Sequence, residues 1–149
     1  MPSTNSRPAG HNGDGAQPGE SQPGDAFLGG ASSSGADTGR LRLEYRIRLA
    51  RETWFYGPGA HQLLRLTAET KSLREACRRM GISYSKGRRI ISVIEQQQGC
   101  AIVESKQGGK HGGSSVLTAQ ATELMKNYDA FYREAALGLQ KLFEQYFPQ

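Results

Sequence analysis

Between Ser72 and Gly99 the sequence marks the start and the stop of a helix twice in close succession. No other feature constrains the fold as much. In "SLREACRRMG" Ser72 and Glu75 have the spacing of a capping box, in which the Ser hydroxyl accepts an N–H of the first turn and the Glu carboxylate reaches back. The spacing predicts a short helix from Leu73 to Met80, stopped by Gly81, a residue that adopts the left-handed closing conformation without steric penalty. Ser83 then caps a second helix, "YSKGRRIISVIEQQQ", with Ile90, Ile91 and Ile94 as its inner face and Gly99 at its end. Two short helices across a tight glycine turn, the second basic at its N-terminal end, form a helix-turn-helix pattern.

The flanks extend this pattern. Upstream, "LRLEYRIRL" alternates: Leu41, Leu43, Tyr45, Ile47 and Leu49 point one way and Arg42, Glu44, Arg46 and Arg48 the other. A period of two predicts a strand with one wet face, and "TWFY" (residues 53–56) is expected to pair back on it as a hairpin. Gly57-Pro58-Gly59 breaks the strand. Ala60, Leu63, Leu64, Leu66 and Ala68 then suit an amphipathic helix ending at Thr70-Lys71. Downstream, "AIVE" (residues 101–104) and Val116-Leu117 read as strands joined by the glycine-rich, basic loop within "ESKQGGKHGGSSV". Strand, long basic loop and strand directly after a helix-turn-helix describe a winged helix, with the loop as the wing. The same loop does not fit a nucleotide-phosphate loop. That motif requires G-x-x-x-x-G-K-[ST] opening a helix, whereas Lys110 is followed by His111 and the next element reads as strand. Thr118 caps a final helix running toward Phe147, with Pro148 after it.

Composition separates a tail from a body. Residues 1–39 hold nine of the nineteen glycines, four of the six prolines and few large apolar residues. Such a segment buries too little surface to offset its chain entropy and is expected to be disordered. It lacks the basic start and apolar run of a signal peptide, and no stretch is apolar enough to span a bilayer, so a soluble, cytoplasmic protein is expected. The tail carries Arg7 against Asp14, Glu20, Asp25 and Asp37, which leaves the body 18 Lys+Arg against 10 Asp+Glu. From Lys71 to Lys110 there are nine basic residues and three acids. Clustered positive charge on a small domain favours polyanions. Cys77 and Cys100 make no disulfide framework, and Cys77, beside Ala76, is expected to be buried. His11, His61 and His111 show no metal-binding spacing. With no Ser-His-Asp set, paired carboxylates or metal set visible, no catalytic residue, metal or cofactor is expected.

The fold expected is mainly α with small β. It comprises a disordered tail (1–39), a winged helix-turn-helix domain with an N-terminal β-hairpin (40–118) and a long C-terminal dimerisation helix (119–149). A recognition helix enters the major groove of DNA by its N-terminal end, so base-reading residues belong in its first turns. Here these are the long donors Lys86, Arg88 and Arg89 beside Ser83, Tyr84 and Ser85. In the wing, Lys106, Gly108, Gly109, Lys110 and His111 are expected to meet DNA, the lysines at phosphates or in the minor groove and the glycines letting backbone N–H groups approach phosphate oxygens closely.

The stretch from Leu66 to Met125 resembles the N-terminal DNA-binding domain of the molybdate-responsive transcriptional regulators, the ModE family, and the resemblance covers about residues 40–147. It rests on Gly81-Ile82-Ser83-Tyr84, Val103-Glu104, Gly108-Gly109-Lys110, Gly112-Gly113 and Leu117-Thr118. LysR-type activators share a similar helix-turn-helix and Leu-Thr helix join but lack this wing. The resemblance implies a transcriptional regulator that binds double-stranded DNA as a homodimer through its last helix. Two departures stand out. Family members carry Lys and an Ala-Trp pair after Ser-Tyr, where this chain has Ser85-Lys86-Gly87-Arg88-Arg89, so the same base preference is not expected, and Gly87 within a helix costs ~1 kcal/mol against Ala. No molybdate-binding module follows before Gln149, so molybdate binding by this chain is not expected.

In the last helix Leu124, Tyr128, Phe131, Ala135, Leu139, Leu142 and Tyr146 recur at steps of three and four, widened by Met125, Tyr132, Leu137, Phe143 and Phe147. A stripe this wide on a small domain favours a partner. A homodimer is expected, with Leu124, Tyr128, Phe131, Leu139 and Leu142 at its interface. The alternative is a protein-interaction module that docks a separate effector-binding protein, for which the retained basic cluster would have no use.

Overall fold

A computed structural model describes residues 39–106 and 114–148. In chain order the elements are β1 (Leu49–Ala50), β2 (Trp54–Tyr56), α1 (Pro58–Thr70), α2 (Leu73–Met80), α3 (Tyr84–Gln98), β3 (Val103–Lys106), β4 (Ser114–Leu117) and α4 (Ala119–Tyr146). The architecture is mainly helical with two small antiparallel hairpins, β1–β2 and β3–β4.

The helix boundaries follow the local chemistry of their ends. Pro58 opens α1, where its missing N–H costs nothing. Ser72 Oγ accepts the Glu75 N–H, Ser83 Oγ the Lys86 N–H and Thr118 Oγ1 the Ala121 N–H. Gly81 and Gly99 close their helices at φ +68° and +70°. The capping box at Ser72 is only half made. The Glu75 carboxylate binds Arg78 and Arg79 instead of reaching back, and the Ser72 N–H donates to Thr70 Oγ1. A guanidinium holds a carboxylate more strongly than a neutral amide does.

The upstream alternation is realised as burial but not as a strand. Leu43, Tyr45, Ile47 and Leu49 are half-buried and the residues between them exposed, yet ladder pairing is confined to Leu49 and Ala50. The reason is the partner's length: β2 has three residues before Gly57 and Pro58 turn the chain into α1. The earlier part of the segment lies along α4 instead. The Tyr128 hydroxyl donates to the Ile47 carbonyl (2.9 Å), and the Tyr45 and Tyr132 rings meet at 5.8 Å. An irregular register between Leu49 and Ala50 gives β2 one extra residue, which lets the adjacent Phe55 and Tyr56 both face inward. Ala68 also departs from expectation, as it is exposed.

The core is shared by every helix. Leu63 and Leu64 of α1, Leu73, Ala76 and Cys77 of α2, and Ile91 and Ile94 of α3 are buried together with Tyr56, Ile102, Ala121 and Tyr128. Each full burial of a large apolar side chain is worth about 1.5–3 kcal/mol. Gly87 sits where α3 crosses α2, and a Cβ there would stand 2.2 Å from Cys77 Sγ. Cys77 and Cys100 are free thiols, and burial pushes the Cys77 thiol up from its usual pKa.

The β3–β4 hairpin is fastened at three places. The Ser115 N–H donates to the Lys71 carbonyl in the α1–α2 turn (2.8 Å), where Lys71 is left-handed at φ +53°. Glu95 Oε1 on α3 accepts the N–H groups of Ile102 (3.0 Å) and Val103 (3.4 Å). Ahead of α4, Thr118 donates its hydroxyl to the Ala101 carbonyl and its N–H to that of Ile102. β3 therefore starts at Val103, two residues later than the strand expected over "AIVE", because Ala101 and Ile102 are committed to this clasp. No helix among the described residues is long and apolar enough to cross a membrane.

Candidate functional site

The α2–α3 unit carries most of the residues singled out from sequence. Helical spacing and the buried positions Gly87, Ile91 and Ile94 fix which side of α3 faces the core. The opposite side presents Ser85, Arg88, Arg89 and Ser92 to solvent, with Ser83 and Tyr84 exposed at the helix start. Lys86 is half-buried and lies on the flank of that face. Of these, sequence reasoning missed Ser92, although its place four residues after Arg88 puts it on the same face.

Arg74 was also missed. It projects from α2 and its guanidinium lies 4.6 Å from the Tyr84 ring centroid, a cation–π contact that orients Tyr84 at the rim. No sequence signal finds it, since the two residues are brought together only by the α2–α3 crossing.

The electrostatics divide the basic cluster in two. On α2, Arg78 pairs with Glu75 (2.6 Å), and Arg79 with Glu69 (2.7 Å) and Glu75 (3.3 Å). The Arg78 guanidinium, with Arg79 beside it, holds the Glu75 carboxyl well below the usual range, at about 2. Those two arginines are satisfied within the chain. Among the described residues no acid pairs with Lys86, Arg88 or Arg89. Their charge faces solvent uncompensated, as a surface for a polyanion requires.

Lys106 is exposed at the end of β3. Gly108, Gly109, Lys110 and His111 lie outside the described residues, as do residues 1–38 of the expected tail. Lys106 is paired across the ladder with Ser114, so both ends of the loop leave the same end of the hairpin.

The expected interface residues on α4 divide by position. Tyr128 is a correction: it is 2% exposed within its own chain, against Tyr56 and His61, so it is not part of a free stripe. The helix period that places it with Phe131 also places it over α1. Leu124 is half-buried against the same core. Phe131 and Leu142 are exposed and Leu139 is half-buried. Beyond Tyr132, no described residue of α4 joins the core, and Leu137 and Tyr146 are 65% and 70% exposed.

A buried histidine joins α1 to α4. His61 is fully buried. Tyr56 Oη and its Nδ1 share a hydrogen bond (2.9 Å), and its Nε2 lies 3.0 Å from Asp129 Oδ1, at ion-pair distance but off the line of a hydrogen bond. Burial lowers its pKa, opposed by the Asp129 carboxylate and reinforced by Arg65. Burial likewise pushes Tyr128 up to about 12, so its hydroxyl remains a donor. Among the described residues no cluster of His, Cys, Asp and Glu is placed to hold a metal ion.

Compared with known proteins, the chain matches no family model and no curated protein.

Proposed function

We propose that this protein is a cytoplasmic, sequence-specific regulator of transcription that binds double-stranded DNA as a winged-helix homodimer and carries no catalytic centre. α2 and α3 form its helix-turn-helix and β3–β4 its wing. The observation that carries this reading is the outer face of α3, where Ser85, Arg88 and Arg89 stand exposed with no acid partner among the described residues while Arg78 and Arg79 on the preceding helix are neutralised internally. Arg pairs bidentately with guanine, and short hydroxyls reach phosphates or base edges. The clasp through Glu95 and Thr118 supports a wing held in fixed relation to α3, with Lys106, Gly108, Gly109, Lys110 and His111 as its phosphate contacts. The resemblance of Gly81-Ile82-Ser83-Tyr84 and of the glycine-lysine loop to the ModE family supports the same reading. Cys77 and Gly87 account physically for one departure, since the small residue on α3 faces a larger one on α2.

Selection of the purified protein on a randomised duplex library at two salt concentrations tests the proposal. A palindromic site, with affinity falling steeply in salt, is the expected result. Salt-sensitive binding without enrichment leaves a nonspecific binder, and no binding at either salt overturns the DNA reading in favour of a protein-interaction module.

A further inference from the structure

The segment from Arg40 to Trp54 holds five arginines and two glutamates, and the helix-turn-helix has no use for it. We infer that its outer face is a second contact surface for the phosphate backbone of duplex DNA, separate from α3 and the β3–β4 hairpin. The inference rests on the DNA-binding reading and adds a site to it.

The face is built by the fold. Leu43, Tyr45, Ile47 and Leu49 turn toward the body, held there by the Tyr128–Ile47 hydrogen bond and the Tyr45–Tyr132 ring contact. Because the backbone alternates, Arg42, Arg46 and Arg48 are all exposed on the other side. Positions two apart in an extended chain are roughly 7 Å apart, so Arg42, Glu44, Arg46 and Arg48 form a row that is cationic on balance rather than a cluster, the form that suits a linear polyanion. The Arg48 stem lies over Gly57, where a Cβ would come within 3.1 Å of its Cγ. Its guanidinium lies 4.7 Å from the Trp54 ring centroid, and Trp54 is half exposed at 50%. A stacked guanidinium is pre-organised and its N–H edge stays available for a phosphate oxygen. Among the described residues nothing engages the Arg48 N–H groups. The Arg42–Glu44 contact is long, 3.7 Å, between two well-exposed side chains, and weakens that charge little.

An anionic membrane is the rival partner for a basic surface. Membrane-surface segments put their apolar side into the lipid, whereas here the apolar residues from Leu43 to Leu49 face the protein. The geometry favours nucleic acid.

The test is the triple variant Arg42→Gln, Arg46→Gln, Arg48→Gln in the full chain. Its affinity for a random-sequence duplex is measured by fluorescence anisotropy across a salt series, with a thermal melt confirming the fold. The expected result is a salt slope shallower by about two, since Arg46 already has a partner within the chain and each lost phosphate contact of Arg42 and Arg48 removes about 0.9, with the site preferred in library selection unchanged. The single variant Arg48→Gln, at an exposed position, is expected to lower the slope by about one and serves if the triple variant melts early. Wild-type slopes in both variants overturn the inference and leave the DNA-binding reading intact. Absence of duplex binding by the wild type overturns both. Loss of binding to phosphatidylglycerol vesicles in the triple variant, with the duplex slope unchanged, overturns the inference in favour of a membrane surface.

Discussion

Two single positions decide more than their size suggests. Gly87 is the first. Helix propensity alone predicts that Gly87→Ala stabilises the protein by ~1 kcal/mol. The added Cβ, however, meets Cys77 Sγ at 2.2 Å, and overpacking a buried crossing typically costs about 1–3 kcal/mol. Gly87→Ala is expected to destabilise in urea titration. Adding Cys77→Ala removes the obstructing sulfur, so the double variant should be more stable than the sum of the single effects allows. Strict additivity would mean that the two residues do not share the space. His61 is the second. Its folded pKa lies below the unfolded value of about 6.5, so the unfolded chain takes up the proton first. Stability is then level above pH ~6.5 and falls as pH drops from there toward the folded pKa. The facing charges are Asp129 on α4, which raises the pKa, and Arg65 on α1, which lowers it. Urea titrations between pH 8 and pH 5 should show that decline in the wild type and a smaller one in His61→Gln.

At the scale of elements, the coupling of α3 to the β3–β4 hairpin rests on one carboxylate. Glu95 Oε1 serves two backbone N–H groups, and leaving buried donors unsatisfied costs about 1–3 kcal/mol. Glu95→Ala is expected to lose that much and to speed amide exchange at Ile102 and Val103. Glu95→Gln keeps a carbonyl acceptor and should lose less. The outer face of α3 makes a different kind of prediction. Arg88→Ala should leave the fold intact, because the side chain is exposed and without an acid partner among the described residues. On DNA it should cost about 1–3 kcal/mol and relax specificity at the base pair it reads. Equal loss on every sequence would reduce Arg88 to a phosphate contact.

At the scale of the whole molecule, α4 is the open feature. Its 28 residues extend about 42 Å at 1.5 Å per residue, yet its buried residues, Ala121 and Tyr128, lie in its first half. Past Tyr132 the helix carries Leu137, Leu142 and Tyr146 exposed, and Phe147 is exposed at its C-cap. In the proposed homodimer these residues would bury against a second copy and hold two α3 helices for two half-sites. Leu142→Asp is expected to convert the proposed dimer to a monomer, read by sedimentation velocity, since a buried Leu is worth about 1.5–3 kcal/mol and the charge adds to the loss. An unchanged sedimentation coefficient would move the interface elsewhere. The helix content of the monomer should fall at the distal end, where no core contact supports it.

The sequence by itself determined what depends on neighbours along the chain. Caps at Ser72, Ser83 and Thr118, stops at Gly81 and Gly99, and the inward faces of α2 and α3 are local chemistry, legible from spacing because hydrogen bonds over three or four residues and helical periodicity need no partner from elsewhere. The exposed residues Ser85, Arg88 and Arg89 were legible for the same reason. Only the tertiary structure decided the rest. It made Glu75 a partner of Arg78 and Arg79 rather than of its own helix start, and it left "LRLEYRIRL" alternating yet mostly unpaired, because three residues of β2 offer too short an edge. It turned Tyr128 from a stripe residue into the lid over His61, set Arg74 on Tyr84, and made Gly87 a packing requirement. Each of these depends on which segments are brought together in space, and one-dimensional spacing carries no information about such meetings when the two residues lie on different elements.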